Sequence, residues 1–341
     1  MSDTSLVPSP GPALPAALAP FADRARDYAA NAKSANTRRA YEADWRDFSG
    51  WCEAHGARPM PASPAVVISY LIDRAETVKV ATLQRRLAAI REAHRYAGYE
   101  LNTSSTAFRD TWRGLRREHG MPAEKKAPVL TGELRKAMSA IPAGTMAGLR
   151  DRALLLLGFA GALRRSELAA LEVSPRDGAG HVEETGDGLI VRLGKSKTDQ
   201  TGEGAAIAVP YGSSPDTCPV RAFKRWLLAA GLTSGPAFRP INRHGRMGEG
   251  AITDKAVALI VKRAVEAAAL ADGLSPAEAS ARAARVAGHS LRSGLATSAA
   301  ANNAPGHAIQ RQLRHRKFDT TAGYIREGQM FKQNAAGMAG L

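Results

Sequence analysis

The sequence predicts a mainly α-helical protein with one small antiparallel β-sheet, an α+β fold built from two domains. Helix-forming residues dominate the chain, above all Ala, Leu, Arg and Glu. Only 6% of the 341 residues are aromatic, and extended runs of β-branched residues are scarce. Between Gly186 and Pro210, two short β-prone runs, "LIVRL" and "AAIAVP", flank a polar segment of Gly, Lys and Thr. Such a pattern is typical of a small antiparallel ribbon or sheet.

The first domain is predicted to be a unit of four or five helices over residues 20–120, after a flexible N-terminal arm at residues 1–19. The arm is rich in Ser, Pro and Ala and lacks the basic segment that begins a secretory signal. Beyond it, apolar residues recur at spacings of four, three and four, which marks one face of a helix. These residues are Tyr41, Trp45, Phe48 and Cys52. Ser63 before Pro64 marks the start of a further helix.

A linker at residues 121–130 is predicted to separate this domain from a second one at residues 131–341. The stretch "GMPAEKKAPVL" combines Gly, two prolines and charges without periodicity, as exposed linkers do. Helical patterns resume after it, surround the β-prone runs and continue to the last residues. The second domain is therefore predicted to hold the small sheet within a helical framework.

The chain is strongly basic, with 47 Lys and Arg against 32 Asp and Glu, a net charge of +15 at pH 7. The excess is spread over both predicted domains, so a polyanion such as nucleic acid is the natural partner. The two cysteines form no disulfide framework and no metal-binding spacing, which fits a cytoplasmic protein. No run approaches 18 apolar residues, so we predict no membrane span. Because the sequence has neither a P-loop nor an evident Asp, Glu and His cluster, we predict no metal and no other cofactor.

Two motifs in the second domain combine arginine with groups that could direct it. In "GALRRSELAAL", Arg164 and Glu167 lie three residues apart, which is either a common surface ion pair or a carboxylate that aims an arginine at phosphate oxygens. In "GHSLRSG", His289 and Arg292 have the same spacing and face the same way on a helix. Each pair alone is open to a purely structural interpretation.

Two further segments carry cations near groups of chemical interest. The segment "GKSKTDQ" places Lys195 and Lys197 on a loop between the β-prone runs, where lysines are usually just solvated. The segment "LRHRKFDTTAGYIREG" places His315 nine residues before Tyr324. A free phenol has a pKa of about 10 and is a poor nucleophile at neutral pH. Tyr324 is therefore either an ordinary packing residue or a nucleophile whose phosphate target is held by the cations.

Taken in order, "ALRRSEL", "GKSKT", "GHSLR", "LRH" and "TTAGYI" resemble the tyrosine recombinase family, the phage integrases and Cre-like site-specific recombinases. The resemblance covers nearly everything after the arm, because the first domain is similar to the family's core-binding (SAM-like) domain. It implies an enzyme that cleaves and rejoins DNA through a 3′-phosphotyrosine, without ATP or metal. It also implies a dimer on one recombination site and a tetramer on two.

The resemblance assigns catalytic roles by position. The implied catalytic residues are Arg164, Glu167, Lys197, His289, Arg292, His315 and the nucleophile Tyr324. Lys195 is the weaker claimant to the role of hairpin lysine, and the R-x-x-E register selects Arg164 over its neighbour Arg165. One departure stands out, because the family's usual "LGH" is "LRH" here, so Arg314 replaces a glycine. That arginine is expected to alter the packing of its loop or to add a phosphate contact.

The expected partner is double-stranded DNA with inverted half-sites, at the nucleoid of a bacterial or phage-host cell. Basic helices offer phosphate contacts, although most basic helix faces are simply hydrated. The candidate DNA contacts are Gln84, Arg85, Arg91 and Arg243. The terminal stretch "GQMFKQNAAGMAGL" carries an apolar stripe that either packs on its own domain or, as the resemblance implies, docks on a neighbouring protomer. Two other functions stay open: DNA relaxation of the type IB topoisomerase kind, and DNA binding without catalysis.

Overall fold

The computed structural model describes residues 32–121, 125–194 and 204–332, with a few single positions near the two ends. The chain divides into two compact units, residues 1–124 and 125–341. The roles and limits of the domains drawn from the sequence stay a prediction. In the part of the chain that is described, no helix is both long enough and apolar enough to cross a membrane.

The described part of the first unit is helical. Its helices are α1 (Ala35–Ala54), α2 (Pro64–Ala75), α3 (Val80–Tyr96) and α4 (Thr106–Glu118). Ser34 and Ser63 cap α1 and α2 through their hydroxyl groups, and the cap of α2 is followed by a proline as predicted. Phe48 and Cys52 of the predicted apolar stripe are fully buried against Tyr70 and Leu83. The periodicity of the sequence therefore identified the face of α1 that builds this core.

The second unit holds the remaining helices. They are α5 (Thr131–Ala140), α6 (Met146–Ala160), α7 (Arg165–Ala169), α8 (Pro219–Ala230), α9 (Asp254–Ala271), α10 (Pro276–Ala284), α11 (Ser290–Ala301), α12 (Gly306–Leu313) and α13 (Phe318–Gly328). The apolar helix α6 lies in the core, where Leu154 and Leu157 are fully buried together with Trp226 of α8. Because α6 is buried almost all round, its end is a rigid platform for the residues that follow it.

A three-stranded antiparallel sheet interrupts the helices of this unit. Its strands are β1 (His181–Thr185), β2 (Gly188–Arg192) and β3 (Ala206–Pro210), in the order β1-β2-β3. The two predicted runs form β2 and β3, whereas β1, with the sequence "HVEET", was not predicted. It is an edge strand with only one apolar residue, and its Glu183 accepts a hydrogen bond from Arg192 of β2 at 2.6 Å. The predicted fold class, mainly α with a small antiparallel sheet, is confirmed.

Two stretches that read as continuous helices are each broken in the structure. Helix α6 ends at Ala160 and α7 begins at Arg165, because Ala162 adopts the left-handed conformation with φ of 46°. Helix α10 ends at Ala284 and α11 begins at Ser290, whose hydroxyl accepts a hydrogen bond from the backbone N–H of Ala287 at 2.9 Å. Both breaks place residues of the predicted site at the beginning of a helix.

Part of the predicted linker is bound to the second unit. The backbone N–H groups of Ala127 and Val129 donate to the carbonyls of Arg285 and Ser290 at 2.8 and 2.9 Å. Val129 is only 2% exposed. A Cβ added to Gly294 would lie 1.8 Å from the carbonyl oxygen of Val129, so glycine is what allows α11 to approach this segment. Val129 is thus buried in the second unit, and the linker at residues 121–130 stays a prediction.

Candidate active site

Arg164 stands immediately before α7, where the carboxylate of Glu167 fixes its backbone and its side chain. Glu167 Oε2 accepts from the backbone N–H of Arg164 at 2.8 Å, and Oε1 accepts from Nη1 at 2.6 Å. The Glu167 side chain is 7% exposed and that of Arg164 is 29% exposed. Arg165 instead pairs with Asp254 at 3.3 Å. The structure therefore brings Arg164 to the site and leaves Arg165 outside it, as the R-x-x-E register predicts.

Arg292 lies in the first turn of α11 and is 1% exposed. Its Nη1 donates to the carbonyl of Ala162 at 2.7 Å, and its Nη2 donates to the carbonyl of Leu313. Burial lowers the pKa of Arg292 to about 10, and the positive charges of Arg314 and Arg164 contribute to the shift. The guanidinium is still charged at neutral pH, and backbone carbonyls set its direction.

Arg314, the residue in place of the family's glycine, also belongs to this cluster. It follows α12 with φ of 55°, in the left-handed region that glycine normally occupies. Its Nη2 donates to Glu167 Oε2 at 2.8 Å and to the carbonyl of Ala162 at 3.3 Å. The Arg314 side chain is 13% exposed. Glu167 is thus shared between two arginines, Arg164 and Arg314.

The surroundings of the two histidines of the predicted site lower the pKa of each and so favour the neutral imidazole. Burial, with the charges of Arg292 and Arg164, lowers the pKa of His289 from its usual value. Burial also dominates at His315, whose pKa is lowered to about 4, with the same arginines, His289 and Arg314 contributing. His315 Nδ1 is 3.0 Å from the hydroxyl of Thr321. Each imidazole therefore offers one N–H donor and one acceptor nitrogen.

Tyr324 lies on α13 beside these groups, within the same chain. Its ring is stacked on that of His315, with 6.1 Å between the ring centroids and 20° between the planes. The phenol is close enough to Arg292 for its charge to influence the pKa of that arginine. The ring is partly buried against a small apolar cluster that includes Ala296 and Ile309. Packing and chemistry are thus not alternatives here, because the apolar contacts of the ring are what hold it against His315.

The structure describes only some of the remaining predicted residues. Lys195 and Lys197 lie outside the described residues. Gln84 and Arg91 are exposed on α3, and Arg85 is 44% exposed while its Nη2 donates to Asp44 at 3.1 Å.

In the second unit, Arg243 is exposed on the loop between α8 and α9. DNA contact by these four residues stays a prediction, since exposure alone does not distinguish a binding face from a hydrated one.

Three supporting groups of the site were not predicted from the sequence. Two are the carbonyls of Ala162 and Leu313, which hold Arg292. Backbone carbonyls leave no signal in residue types. The third is the hydroxyl of Thr321, which is fully buried beside His315. A threonine three residues before Tyr324 on the same helix face was the available signal.

The geometry unites residues from distant segments of the second unit around a strongly positive centre. Among the described groups, the three guanidinium ions and His289 lie near enough to His315 for their charges to lower its pKa, and Glu167 pairs with Arg164 and Arg314. Planar, two-pronged donors suit the nonbridging oxygens of a phosphodiester. A buried excess of positive charge is costly unless an anion binds, so the arrangement favours a phosphate ligand.

The sequence of the chain is similar to those of known proteins along most of its length. The phage integrase family model matches residues 129–329, and the model of the phage integrase N-terminal SAM-like domain matches residues 27–100. An integrase/recombinase XerD homologue of Selenomonas ruminantium is 40% identical over 306 residues, covering 89% of this chain and 85% of the relative. Recombinase cre of Escherichia phage P1 is more distant, 24% identical over 199 residues, or 56% of this chain and 54% of Cre.

A solved structure shows the same fold. A lambda integrase dimer bound to a COC′ core site aligns with a TM-score of 0.56 at 16% identity, covering 90% of this chain and 95% of that one. The family model alone spans more than half of the chain, and the XerD homologue extends the similarity through the helical first unit. The chain therefore belongs to the phage integrase family and is a tyrosine recombinase, an enzyme of site-specific DNA recombination.

Proposed function

We propose that this recombinase cleaves and rejoins DNA through a covalent 3′-phosphotyrosine formed by Tyr324 of the same chain. The observation that carries the proposal is the position of the Tyr324 ring, stacked on His315 with 6.1 Å between the ring centroids. The phenolic oxygen attacks the scissile phosphorus while the bond from phosphorus to the 5′ oxygen breaks. The products are a DNA 3′ end joined to Tyr324 and a strand with a free 5′-hydroxyl. Because the phosphoester bond is exchanged and not hydrolysed, rejoining needs no ATP.

Arg164 and Arg292 are proposed to bind the nonbridging oxygens of the scissile phosphate. Negative charge accumulates on these oxygens as the phosphorus becomes five-coordinate, and fixed cations stabilise that charge more than they stabilise the substrate. The directions of both guanidinium groups are set before DNA binds, by Glu167 for one and by backbone carbonyls for the other. Such preorganisation supports the assignment because little reorganisation is needed during the reaction.

His289 and His315 are proposed to handle protons and hydrogen bonds at the phosphate. A neutral His289 can accept the proton that leaves the phenol of Tyr324. If the hydroxyl of Thr321 donates to His315 Nδ1, the proton of His315 lies on Nε2, which is then a donor for a phosphate oxygen. The lowered pKa values support these roles, because a charged His289 could not act as a base.

Lys197 is proposed as the acid that protonates the departing 5′ oxygen, with Lys195 as the alternative. The 5′ alkoxide is a poor leaving group unless it receives a proton, and a lysine ammonium is a suitable proton donor. Rejoining reverses these steps, with a 5′-hydroxyl from another strand as the attacking group. No metal or other cofactor is assigned a role in this proposal.

The proposed assembly is a dimer on one site with inverted half-sites and a tetramer when two sites meet. The lambda integrase dimer on its core site supports the first part. Met330 and Phe331 are 59% and 92% exposed, which supports docking of this segment on another protomer. Met338, the third residue of the apolar stripe predicted for this segment, lies outside the described residues.

The test begins with selection of bound DNA from random sequence. The selected site is then made as a nicked suicide substrate that prevents rejoining. We expect a covalent protein–DNA adduct that Tyr324→Phe cannot form, although this variant should bind the DNA as tightly as the natural protein. An adduct formed by Tyr324→Phe, or binding without any adduct, would refute the assignment. Strand exchange between two duplexes then distinguishes recombination from relaxation of supercoiled DNA alone.

A further inference from the structure

Arg314 occupies a backbone conformation that an arginine adopts only at a cost. With φ of 55° and ψ of 41°, it ends α12 in the left-handed region, where the absence of a Cβ makes glycine the favoured residue. A side chain kept in a strained position inside a reaction centre points to a use for that side chain. The contacts of the guanidinium show what that use is.

The guanidinium of Arg314 is directed into the cluster and away from solvent. Its Nη2 donates to Glu167 Oε2, the same oxygen that accepts from the backbone N–H of Arg164. Its Nε and Nη1 are buried and make no hydrogen bond to any residue in the described part of the chain. An arginine that contributed only packing would not need to bring an incompletely paired charge into the interior.

The described groups of the site carry more positive than negative charge, so the balancing negative charge must come from a ligand. Arg164, Arg292 and Arg314 carry three positive charges, and Glu167 is the carboxylate that pairs with two of them. A phosphodiester carries one negative charge, and the attack of a phenolate brings a second one into the transition state. The surplus therefore matches the transition state better than it matches the bound substrate.

We propose that Arg314 is a positioning residue of the cleavage step, which holds Glu167 against Arg164 and adds a third positive charge beside the phosphate. This inference rests on the proposed function, since it assumes that the phosphate binds between Arg164 and Arg292. It assigns to the arginine of the "LRH" segment, which stands where the family usually has glycine, a specific role in the rate of cleavage. Arg314 acts through Glu167 and through its field, and not as a direct ligand of the phosphate.

Three substitutions separate charge from packing and strain. Arg314→Lys keeps the charge, Arg314→Met keeps a long side chain without charge, and Arg314→Gly removes both the charge and the backbone strain. Arg311→Met is the matched control, because Arg311 is exposed one turn earlier on the same helix. Each protein is used at a concentration that saturates the nicked suicide substrate, and the rate of adduct formation is measured in single turnover.

We expect the Met and Gly variants to cleave about 10- to 100-fold more slowly, since removal of one preorganised electrostatic contact has effects of this order. Arg314→Lys should recover most of the rate, and Arg311→Met should match the natural protein. Arg314→Gly should melt no earlier than the natural protein, which shows that the slow rate is not a folding defect. In a Glu167→Gln background, Arg314→Met should slow cleavage much less, because the two residues act as a unit.

Equal rates for the Lys and Met variants would overturn the inference, because a packing role does not depend on charge. Cleavage by Arg314→Gly at the natural rate would overturn it as well. In both cases the natural protein still forms the Tyr324 adduct, so the proposed function survives. If the natural protein forms no adduct on its selected site, the proposed function fails and this inference fails with it.

Discussion

Replacement of Arg292 by lysine should make cleavage sensitive to alkaline pH. In the natural protein, burial and the charges of Arg314 and Arg164 lower the pKa of Arg292 from the higher ordinary value of arginine to about 10. A guanidinium tolerates this shift because it starts from so high a value. Lysine has an ordinary pKa of about 10.4, so the same surroundings should lower it to about 8.

The sign and size of the effect follow from these pKa values. Lysine at position 292 is charged below its pKa and neutral above it, so activity is lost as the pH rises. At pH 9 a group with a pKa of about 8 is roughly one-tenth charged, whereas one with a pKa of about 10 is still roughly nine-tenths charged. The variant should therefore lose about another tenfold of its rate between pH 7 and pH 9, beyond any loss at pH 7.

The assay is adduct formation on the suicide substrate between pH 6.5 and 9. The protein and the DNA are both kept below the concentrations that saturate binding, so that titration of the free enzyme sets the pH profile. Bound phosphate would raise the pKa of the lysine, so the fall should move to higher pH when DNA is saturating. Arg176→Lys is the control, since Arg176 pairs with Glu172 and is 72% exposed. If Arg292→Lys is slower by the same factor at every pH, the buried, cation-rich setting assigned to this residue is wrong.

Two further predictions concern the packing of the second unit and the DNA contact predicted for Arg91 of the first. Gly294→Ala should lower the free energy of unfolding of residues 125–341 by about 3 kcal/mol, because its Cβ would lie 1.8 Å from the Val129 carbonyl oxygen. The control is Gly132→Ala, whose Cβ would meet no heavy atom within 4 Å and which should change the free energy of unfolding by less than about 1 kcal/mol. Urea unfolding of the full chain measures both changes, and hydrogen exchange assigns them to residues 125–341. Equal effects of the two substitutions would contradict the prediction. Arg91→Ala should reduce the slope of log affinity against log salt by about 0.9 if Arg91 neutralises one phosphate, whereas Arg176→Ala should leave it unchanged. An unaltered slope for Arg91→Ala would remove this residue from the DNA contacts.

Much of the fold and of the catalytic constellation could be predicted because both depend on local patterns. The stripe through Phe48 and Cys52 repeats with the period of a helix, and that period alone identifies the buried face. The site residues come from segments whose order and spacing resemble a family, and the structure brings Arg164, His289, Arg292, His315 and Tyr324 together as that resemblance implies. Their catalytic roles remain predictions until the adduct is tested.

What the sequence did not predict depends on contacts between distant residues. The left-handed backbone of Ala162 breaks a helical pattern that the residue types would continue, because alanine is a strong helix former. Strand β1 has little apolar character of its own and is defined by its pairing with β2. The binding of Val129 to α11 requires the closeness of Gly294, and no local feature of "KKAPVL" announces it.

Two left-handed residues of the site, Ala162 and Arg314, explain how a centre so rich in positive charge can hold its shape before DNA binds. Ala162 turns the chain between α6 and α7, and Arg314 turns it after α12, so the carbonyls of Ala162 and Leu313 both point at the Arg292 guanidinium. Their partial negative charges lie on backbone that is buried and cannot rotate away, unlike a carboxylate on a flexible side chain. Arg292 is therefore oriented without a hydrogen bond to Glu167, and the carboxylate of Glu167 accepts from Arg164 and Arg314. A second carboxylate would have fixed Arg292 equally well, but it would have cancelled the charge that a phosphate must meet.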